Sequence, residues 1–227
     1  MKLLALDTAT EACSVAVAMD GEYHEHLEFG RRHSEGILVM VDAVLADAGL
    51  ALTQLDAIAF GRGPGLFTGL RIGAGVAQGL AFATGLPVVP VSSLAALAQG
   101  ADGERVLAAF DARMNQVYWA AFTRGADGLV VPVGDERVSD PAQVPLPSGR
   151  HWLGVGSGWD RYHEALCARL DTCVQKWCPD VWPHARDVAV LGAAALAAGG
   201  GVVPEQAVPV YIRDDVAVKA GSPGATR

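Results

Sequence analysis

The segment Gly61-Arg62-Gly63-Pro64-Gly65-Leu66-Phe67-Thr68-Gly69-Leu70-Arg71-Ile72-Gly73 decides the fold of this chain. It follows a strand-like apolar run, residues 55–60, and leads into small and apolar residues that end near Gly85. Closely spaced glycines and a proline predict a tight turn, because glycine adopts positive φ at little cost. The segment therefore predicts a strand, a turn and a helix that starts near Gly69, with Thr68 as its N-cap.

Two roles are compatible with this turn. The free N–H groups of a helix N-terminus attract anions, which makes Gly63, Gly65 and Thr68, together with Asp7, candidate contacts for a phosphate or nucleotide. However, no Lys-Ser/Thr pair follows the glycines as in a Walker loop, and Leu66 occupies the third glycine position of a dinucleotide fingerprint. The glycines also continue far into the predicted helix, which favours the alternative, a purely structural role.

Composition limits the class of protein. With 227 residues, 51% hydrophobic and 19% charged, the chain has room for one large globular domain or two small lobes. Its formal net charge of −8 disfavours direct, sequence-independent binding to nucleic acid, so we expect any such role to run through a partner. No signal peptide or membrane span is recognisable, and the four cysteines have no CxxC spacing, which predicts a cytoplasmic protein with reduced thiols.

The order of elements in the first half predicts a ribonuclease H-like lobe. Strand signals lie at residues 2–6, 13–19, 22–29, 55–60 and 88–91, and helix signals at 34–49, with Ser34 as N-cap, and 69–84. Asp20-Gly21 predicts a two-residue hairpin between the second and third strands. Three antiparallel strands followed by alternating helices and parallel strands are typical of the ribonuclease H-like fold.

The second half repeats this pattern. Residues 3–7 and 107–111 are both apolar strands that end in an aspartate. The sequence therefore predicts an α/β protein with two tandem ribonuclease H-like lobes, the architecture of the actin-like ATPase (ASKHA) superfamily, with the second lobe reduced. We place the N-terminal lobe at residues 1–101 and the C-terminal lobe at 102–227, and expect the apolar helix near 185–198 to pack back towards the first lobe.

The two helices of the first lobe carry more apolar and small residues than one core face needs. In the first helix Val39, Met40 and Ala43 lie off the apolar stripe, and in the second Gly75 and Gly79 form a row beside that of Gly69, Gly73 and Ala77. Each glycine inside a helix costs about 0.5–1 kcal/mol relative to alanine. This surplus predicts a partner-binding surface drawn from Ile37, Leu38, Val39, Met40, Val41, Leu45, Arg71, Gly75 and Gly79.

Catalytic groups are harder to find. Asp7 and Asp111 occupy hairpin positions that hold phosphate and magnesium in actin-like ATPases, but no glycines accompany them. Ser92 and Ser93 have no histidine near them in sequence, and helix capping is their expected role. The six histidines form no HExxH motif, and the role of the His24/His26 pair stays open, so no metal site is predicted. The alternative function is an actin-like ATPase or small-molecule kinase that uses the glycine segment and Asp7.

Five segments resemble the TsaB (YeaZ) family: residues 4–10, 32–35, 61–73, 111–120 and 209–213. The resemblance covers nearly the whole chain. It implies a non-catalytic relative of TsaD, the enzyme that places threonylcarbamoyl on adenosine 37 of tRNAs reading ANN codons. Serine and leucine stand at residues 92–97 where TsaD carries metal-binding histidines.

The resemblance also implies the partners of this chain. A TsaD-type subunit would bind the two helices of the first lobe, and homodimers would form through the same surface. A TsaE-type ATPase completes the system, so ATP and a metal belong to the partner complex and this chain has no cofactor of its own. Contact with tRNA would occur only through the complex, and no membrane is involved.

Overall fold

The structure, a computed structural model, describes residues 1–30 and 33–213. Arg32 of the 32–35 motif and residues 214–227 of the predicted C-terminal lobe lie outside these ranges. The strands are β1 (Lys2–Asp7), β2 (Ala12–Met19), β3 (Glu22–Phe29), β4 (Ala57–Gly61), β5 (Val88–Val91), β6 (Arg105–Arg113), β7 (Gln116–Arg124), β8 (Val130–Pro132), β9 (Arg137–Ser139), β10 (Trp152–Val155) and β11 (Val174–Cys178). The helices are α1 (His33–Asp47), α2 (Phe67–Thr84), α3 (Ser93–Gln99), α4 (Ser157–Leu170) and α5 (Ala185–Ala197).

The first sheet has five strands in the order β3-β2-β1-β4-β5. β1 to β3 are antiparallel, whereas β4 and β5 continue the sheet in parallel. Asp20 and Gly21 have φ values of 53° and 90°, which confirms the predicted two-residue hairpin. The predicted order of a ribonuclease H-like lobe is confirmed.

The second sheet repeats the first. Its main path is β11-β10-β6-β7-β8. Taken from β8 to β11, this path has the same order as the first sheet: the third, second and first strands of the lobe, followed by two later ones. β9 also pairs with β7. No α-helix separates β9 from β10; the connection has only a short 3-10 helix, Pro141–Gln143. The predicted α/β fold of two tandem lobes with a reduced second lobe is confirmed.

Helices from each half of the sequence cover the sheet of the other half. α1 and α2 pack on one face of the first sheet, and α5 packs on its opposite face, with Val188 and Ala189 against Leu3 and Ala59. α3 follows the last strand of the first sheet, yet its leucines pack against the second sheet. Neither half of the sequence therefore contains every helix that its own sheet needs.

Two predicted helix starts are wrong by one or two residues. Because α1 begins at His33, Ser34 lies inside its first turn and is not the N-cap. The His33 side chain donates from Nε2 to the carbonyl oxygen of Thr10 (2.9 Å). α2 begins at Phe67 with Leu66 in the N-cap position, so Thr68 also lies inside the helix. Ser92, in contrast, caps α3 by accepting a hydrogen bond from the backbone N–H of Ala95.

Polar groups fix the start of α5 against the first sheet. Ser14 Oγ donates to Glu25 Oε1 (2.7 Å) and accepts from the backbone N–H of Ala185 (2.8 Å), while His184 Nδ1 lies 3.1 Å from Glu25 Oε2. The hydrogen bond to Glu25 raises the pKa of His184 above its ordinary value of 6.5. Burial alone would raise the pKa of Glu25, but hydrogen bonds from His184 and Ser14 outweigh it and lower this pKa.

The His184–Glu25 pair makes stability depend on pH. Because the folded state raises the pKa of His184, the stabilisation is fully present below pH 6.5 and is lost as pH rises through the folded value. His184→Ala should therefore lower the free energy of unfolding by about 1–2 kcal/mol more at pH 6 than at pH 9, measured by urea denaturation. His24→Ala, on the same strand as Glu25, is the control and should give similar small losses at both pH values. An equal loss for His184→Ala at pH 6 and pH 9 would contradict this coupling.

Candidate functional site

The glycine segment lies directly against the turn that joins β1 to β2. Four of its glycines, spaced four residues apart, face residues 7–9, and a Cβ at any of them would come closer than 3.0 Å to atoms of that turn: Gly61, Gly65, Gly69 and Gly73. Two hydrogen bonds close the contact, from Leu66 N to the carbonyl oxygen of Ala9 (2.7 Å) and from Thr8 Oγ1 to that of Gly69 (2.7 Å). These four glycines therefore serve close backbone packing.

The second row of glycines faces open space. Among the described residues, no atom outside the backbone of α2 lies within 4 Å of a Cβ built at Gly75 or Gly79. Both glycines line a shallow groove between α1 and α2, to which Leu38, Ile72 and Val76 also contribute. We name it the helix groove. Its bare glycines leave room for another helix to approach closely.

The structure corrects the predicted division of α1 into core and surface. Met40, predicted to lie off the core stripe, is only 3% exposed, whereas Leu38, predicted in the stripe, is half exposed. Val39 is 68% exposed, as its position off the stripe predicts. Four residues of the predicted partner-binding set are buried against the first sheet, where a partner would not reach them: Ile37, Met40, Val41 and Leu45. Of the predicted set, Leu38 and Val39 are the exposed members on α1.

Two predicted anion contacts are also enclosed. Asp7 is fully buried; its Oδ1 accepts from Ala9 N (2.8 Å) and its Oδ2 from Ser93 Oγ (2.6 Å). Gly63 is covered by the side chain of Leu70 and the carbonyl of Val210. Of the other two, Thr68 is exposed, and Gly65 lines the cleft between the lobes. The candidate nucleotide contacts therefore do not form one open site.

Ion pairs span the cleft between the two β-hairpins. Arg113 Nη2 lies 3.0 Å from Glu11 Oε1 across the lobes, and its Nη1 lies 3.0 Å from Asp111 Oδ2, which Arg161 also approaches (3.7 Å). The cavity there measures about 320 Å³. Its lining has more acidic than basic side chains, with Asp160 and further carboxylates against these two arginines. Such a charge balance disfavours a polyphosphate.

The two serines after β5 bond carboxylates that sequence reasoning did not connect to them. Ser92 Oγ donates to Glu136, which also accepts from Arg62 Nη2 (3.3 Å), and Ser93 Oγ donates to Asp7. The partners are 44 and 86 residues away, so spacing in the sequence carries no signal of them. Residues 1–30 and 33–213 contain no group of three His, Cys, Asp or Glu side chains placed to hold a metal ion.

The sequence did not predict that an aromatic residue of the glycine segment and one of the 209–213 motif would both be exposed. Phe67 and Tyr211 are about half exposed, and Arg71 Nε donates to the hydroxyl of Tyr211 (3.1 Å). Both residues lie in motifs singled out from the sequence, 61–73 and 209–213, but only the fold brings these motifs together. Within the described ranges, no helix combines the length and apolar character needed to cross a membrane.

The first comparison concerns the fold. The structure resembles that of the "Activator of the 2-Hydroxyisocaproyl-CoA Dehydratase from Clostridium difficile with bound ADPNP", with a TM-score of 0.50 over 88% of this chain and 97% of that chain. At 10% identity the likeness shows the fold alone. It agrees with the predicted fold of two tandem lobes.

Closer comparisons then give the family. A family model described as "TsaD: tRNA N6-adenosine threonylcarbamoyltransferase" matches residues 26–220. The Escherichia coli K12 protein named "tRNA threonylcarbamoyladenosine biosynthesis protein TsaB" is 42% identical over 96% of this chain and 97% of its own length. The namesake from Haemophilus influenzae is 46% identical over 72% of this chain and 75% of its own. The structure titled "YeaZ from Pseudomonas aeruginosa" has a TM-score of 0.86 and 47% identity, covering 92% of this chain and 99% of that one. The chain thus belongs to the TsaB (YeaZ) family, which confirms the resemblance.

The buried carboxylate of Asp7 gives a test of its enclosure. Burial raises its pKa from 3.8 to about 6, against the hydrogen bonds from Ser93 and Ala9. Its protonated form is thus favoured by folding, and ionisation destabilises the folded state increasingly as pH rises from 3.8 to about 6.

Asp7→Asn should therefore raise the free energy of unfolding at pH 8 by about 1–3 kcal/mol and change it little at pH 4. Urea denaturation at both pH values measures this difference, with Asp102→Asn on the surface as the control. A loss of stability at pH 8 would contradict the raised pKa of the buried Asp7 carboxyl group.

Proposed function

We propose that this chain is a non-catalytic subunit that binds and activates a TsaD-type enzyme in the formation of threonylcarbamoyladenosine at position 37 of tRNAs reading ANN codons. The observation that carries the proposal is the helix groove, where Gly75 and Gly79 face open space on α2. Membership in the TsaB family and the names of its relatives supply the pathway.

The helix groove has the chemistry of a protein interface. Val39 and Leu38 lie exposed on α1, and full burial of such a side chain contributes about 1.5–3 kcal/mol. The two open glycines cost α2 about 0.5–1 kcal/mol each, and no contact within residues 1–30 and 33–213 compensates for it. Close approach by a helix of a partner would recover that loss, which supports an interface formed by α1 and α2.

The absence of catalysis is also part of the proposal. A kinase or ATPase of this architecture needs an accessible carboxylate for magnesium and an open phosphate site. In this chain Asp7 is enclosed, and ion pairs of Arg113 with Glu11 and Asp111 cross the cleft. Both features support a scaffold over the ATPase or kinase alternative.

The remaining components follow from the family. We infer that the chain acts in the cytoplasm, that a TsaE-type ATPase joins the complex, and that ATP and a metal bind the partner subunits. Without a TsaD-type partner, two copies of this chain would pair through the same helix groove.

A charge on the exposed surface of α1, next to Leu38 of the helix groove, tests the proposal. Val39→Glu should weaken binding to the TsaD-type subunit at least tenfold, about 1.4 kcal/mol, because it buries an unpaired carboxylate in the interface. Co-elution from a sizing column and titration calorimetry measure the effect. Val131→Glu, at a similarly exposed valine on β8 of the second lobe, is the matched control and should bind normally. Unchanged binding of Val39→Glu would overturn the proposed interface.

The two glycine rows provide a second test. Gly75→Leu should leave the thermal stability of the free chain unchanged or raised, yet block partner binding, because its side chain fills the helix groove. Gly73→Ala should instead lower the melting temperature by several degrees, because its Cβ meets Thr8 Oγ1 in the chain's own core. Calorimetric melting and co-elution separate the two effects. Normal partner binding by Gly75→Leu would contradict the role of the open row.

A further inference from the structure

A second concave surface lies at the start of α2, next to the helix groove, whose lining includes Arg71. It is an apolar hollow of about 320 Å³, and we name it the aromatic groove. The C-terminal segment 209–213 forms one wall by crossing the glycine segment, where Val210 N donates to the carbonyl oxygen of Arg62 (2.8 Å). The lining residues used below are Phe67, Met114, Tyr211 and Arg213.

Its aromatic rings and a guanidinium are already stacked. The rings of Phe67 and Tyr211 have centroids 5.3 Å apart, and the guanidinium of Arg71 lies 3.8 Å over the Phe67 ring. Both aromatic side chains are about half exposed to solvent. Exposed aromatic rings next to a guanidinium are suited to stacking with a planar ligand.

Within residues 1–30 and 33–213, two arginines at this surface have no carboxylate partner. Among the described residues, neither Arg71 nor Arg213 has a carboxylate within ion-pair distance; Arg71 donates to Tyr211 and Arg213 to Gln116 Oε1. Arg113, which also lines the groove, is paired with Glu11 and Asp111. Arg213 lines the groove, and Arg71 lies at its edge over the ring of Phe67. Because neither is paired with a carboxylate among the described residues, the charge here favours an anionic ligand.

The hairpin between β6 and β7 holds an apolar side chain in solvent beside these arginines. Arg113, Met114 and Asn115 have φ values of 62°, 53° and 57°, three consecutive left-handed residues without a glycine. Met114 is 81% exposed, and its Sδ accepts a hydrogen bond from Arg213 Nη1 (3.6 Å). A thioether at the rim adapts its shape to a flat surface pressed against it.

We propose that the aromatic groove contacts RNA directly. An unpaired base stacks on Phe67 and Tyr211, and neighbouring phosphates pair with Arg71 and Arg213. Ring and guanidinium stacking combined with phosphate pairing is the chemistry by which proteins hold single-stranded RNA. The proposal rests on the proposed function, which makes tRNA the RNA concerned, and replaces the expectation that tRNA is reached only through the partner. The acidic remainder of the surface confines the contact to this groove.

The test measures RNA binding and partner binding separately. Fluorescence anisotropy follows a labelled tRNA that reads an ANN codon, titrated with the full-length chain alone and with its complex with the TsaD-type subunit, at several salt concentrations. The variants are Arg213→Glu, which reverses a charge, and Phe67→Leu, which keeps an apolar side chain but removes the ring. The control is Arg150→Glu, an exposed arginine whose loop contacts Arg105 at the opposite end of β6 from Arg113.

Arg213→Glu should weaken tRNA binding at least tenfold and reduce the slope of log K against log salt by one or more. Phe67→Leu should weaken it at least fivefold with little change in that slope, and Arg150→Glu should change neither. Co-elution with the TsaD-type subunit should stay normal for all three. tRNA affinities within twofold of the unmodified chain would overturn the proposal. Loss of co-elution by Arg213→Glu or Phe67→Leu would also overturn it, because the groove would then hold a protein. Failure of the unmodified chain to co-elute would count against the proposed function alone.

Discussion

The contact on which the structure depends is the approach of the glycine segment to the turn after β1. Glycines at 61, 65, 69 and 73 bring α2 so close to residues 7–9 that no side chain fits between them. This contact encloses Asp7 and fixes the rotation of α2 about its axis. That rotation sets the direction of the second glycine row, and it also sets Phe67 beside the C-terminal segment. One steric constraint thus positions both surfaces that we assign to binding.

The cleft between the two lobes is crossed by an ion pair and has more acidic than basic side chains in its lining. Its two hairpins are joined by Arg113 and Glu11, and the surplus of acid around them opposes phosphate. The glycine segment, which resembles an anion-binding loop in isolation, is used for packing. The surfaces that we propose for binding lie along and beside α2, where Leu38, Val39, Phe67 and Tyr211 remain exposed.

Much of this fold follows from local patterns in the sequence. Short apolar runs located most strands of the first sheet, Asp20-Gly21 located a hairpin, and the repeat of an apolar strand ending in aspartate predicted the second lobe. β11 was missed because its exposed Gln175 and Lys176 break the apolar pattern of a buried strand. The rotation of α1 was misjudged at Leu38 and Met40, because almost every residue from 37 to 41 is apolar and spacing cannot select a face. The carboxylates bonded to Ser92 and Ser93, and the meeting of Phe67 with Tyr211, depend on tertiary contacts alone.

The exchange of α3 and α5 between the lobes bears on how such a chain can shrink during evolution. Deleting α5 would uncover the first sheet, and deleting α3 would uncover the second, so either loss damages the half that did not encode it. The connection from β9 to β10 differs, because both strands belong to the second sheet. The reduced lobe lacks an α-helix at this connection. The absence of a helix there affects the second lobe and leaves the cover of the first sheet intact.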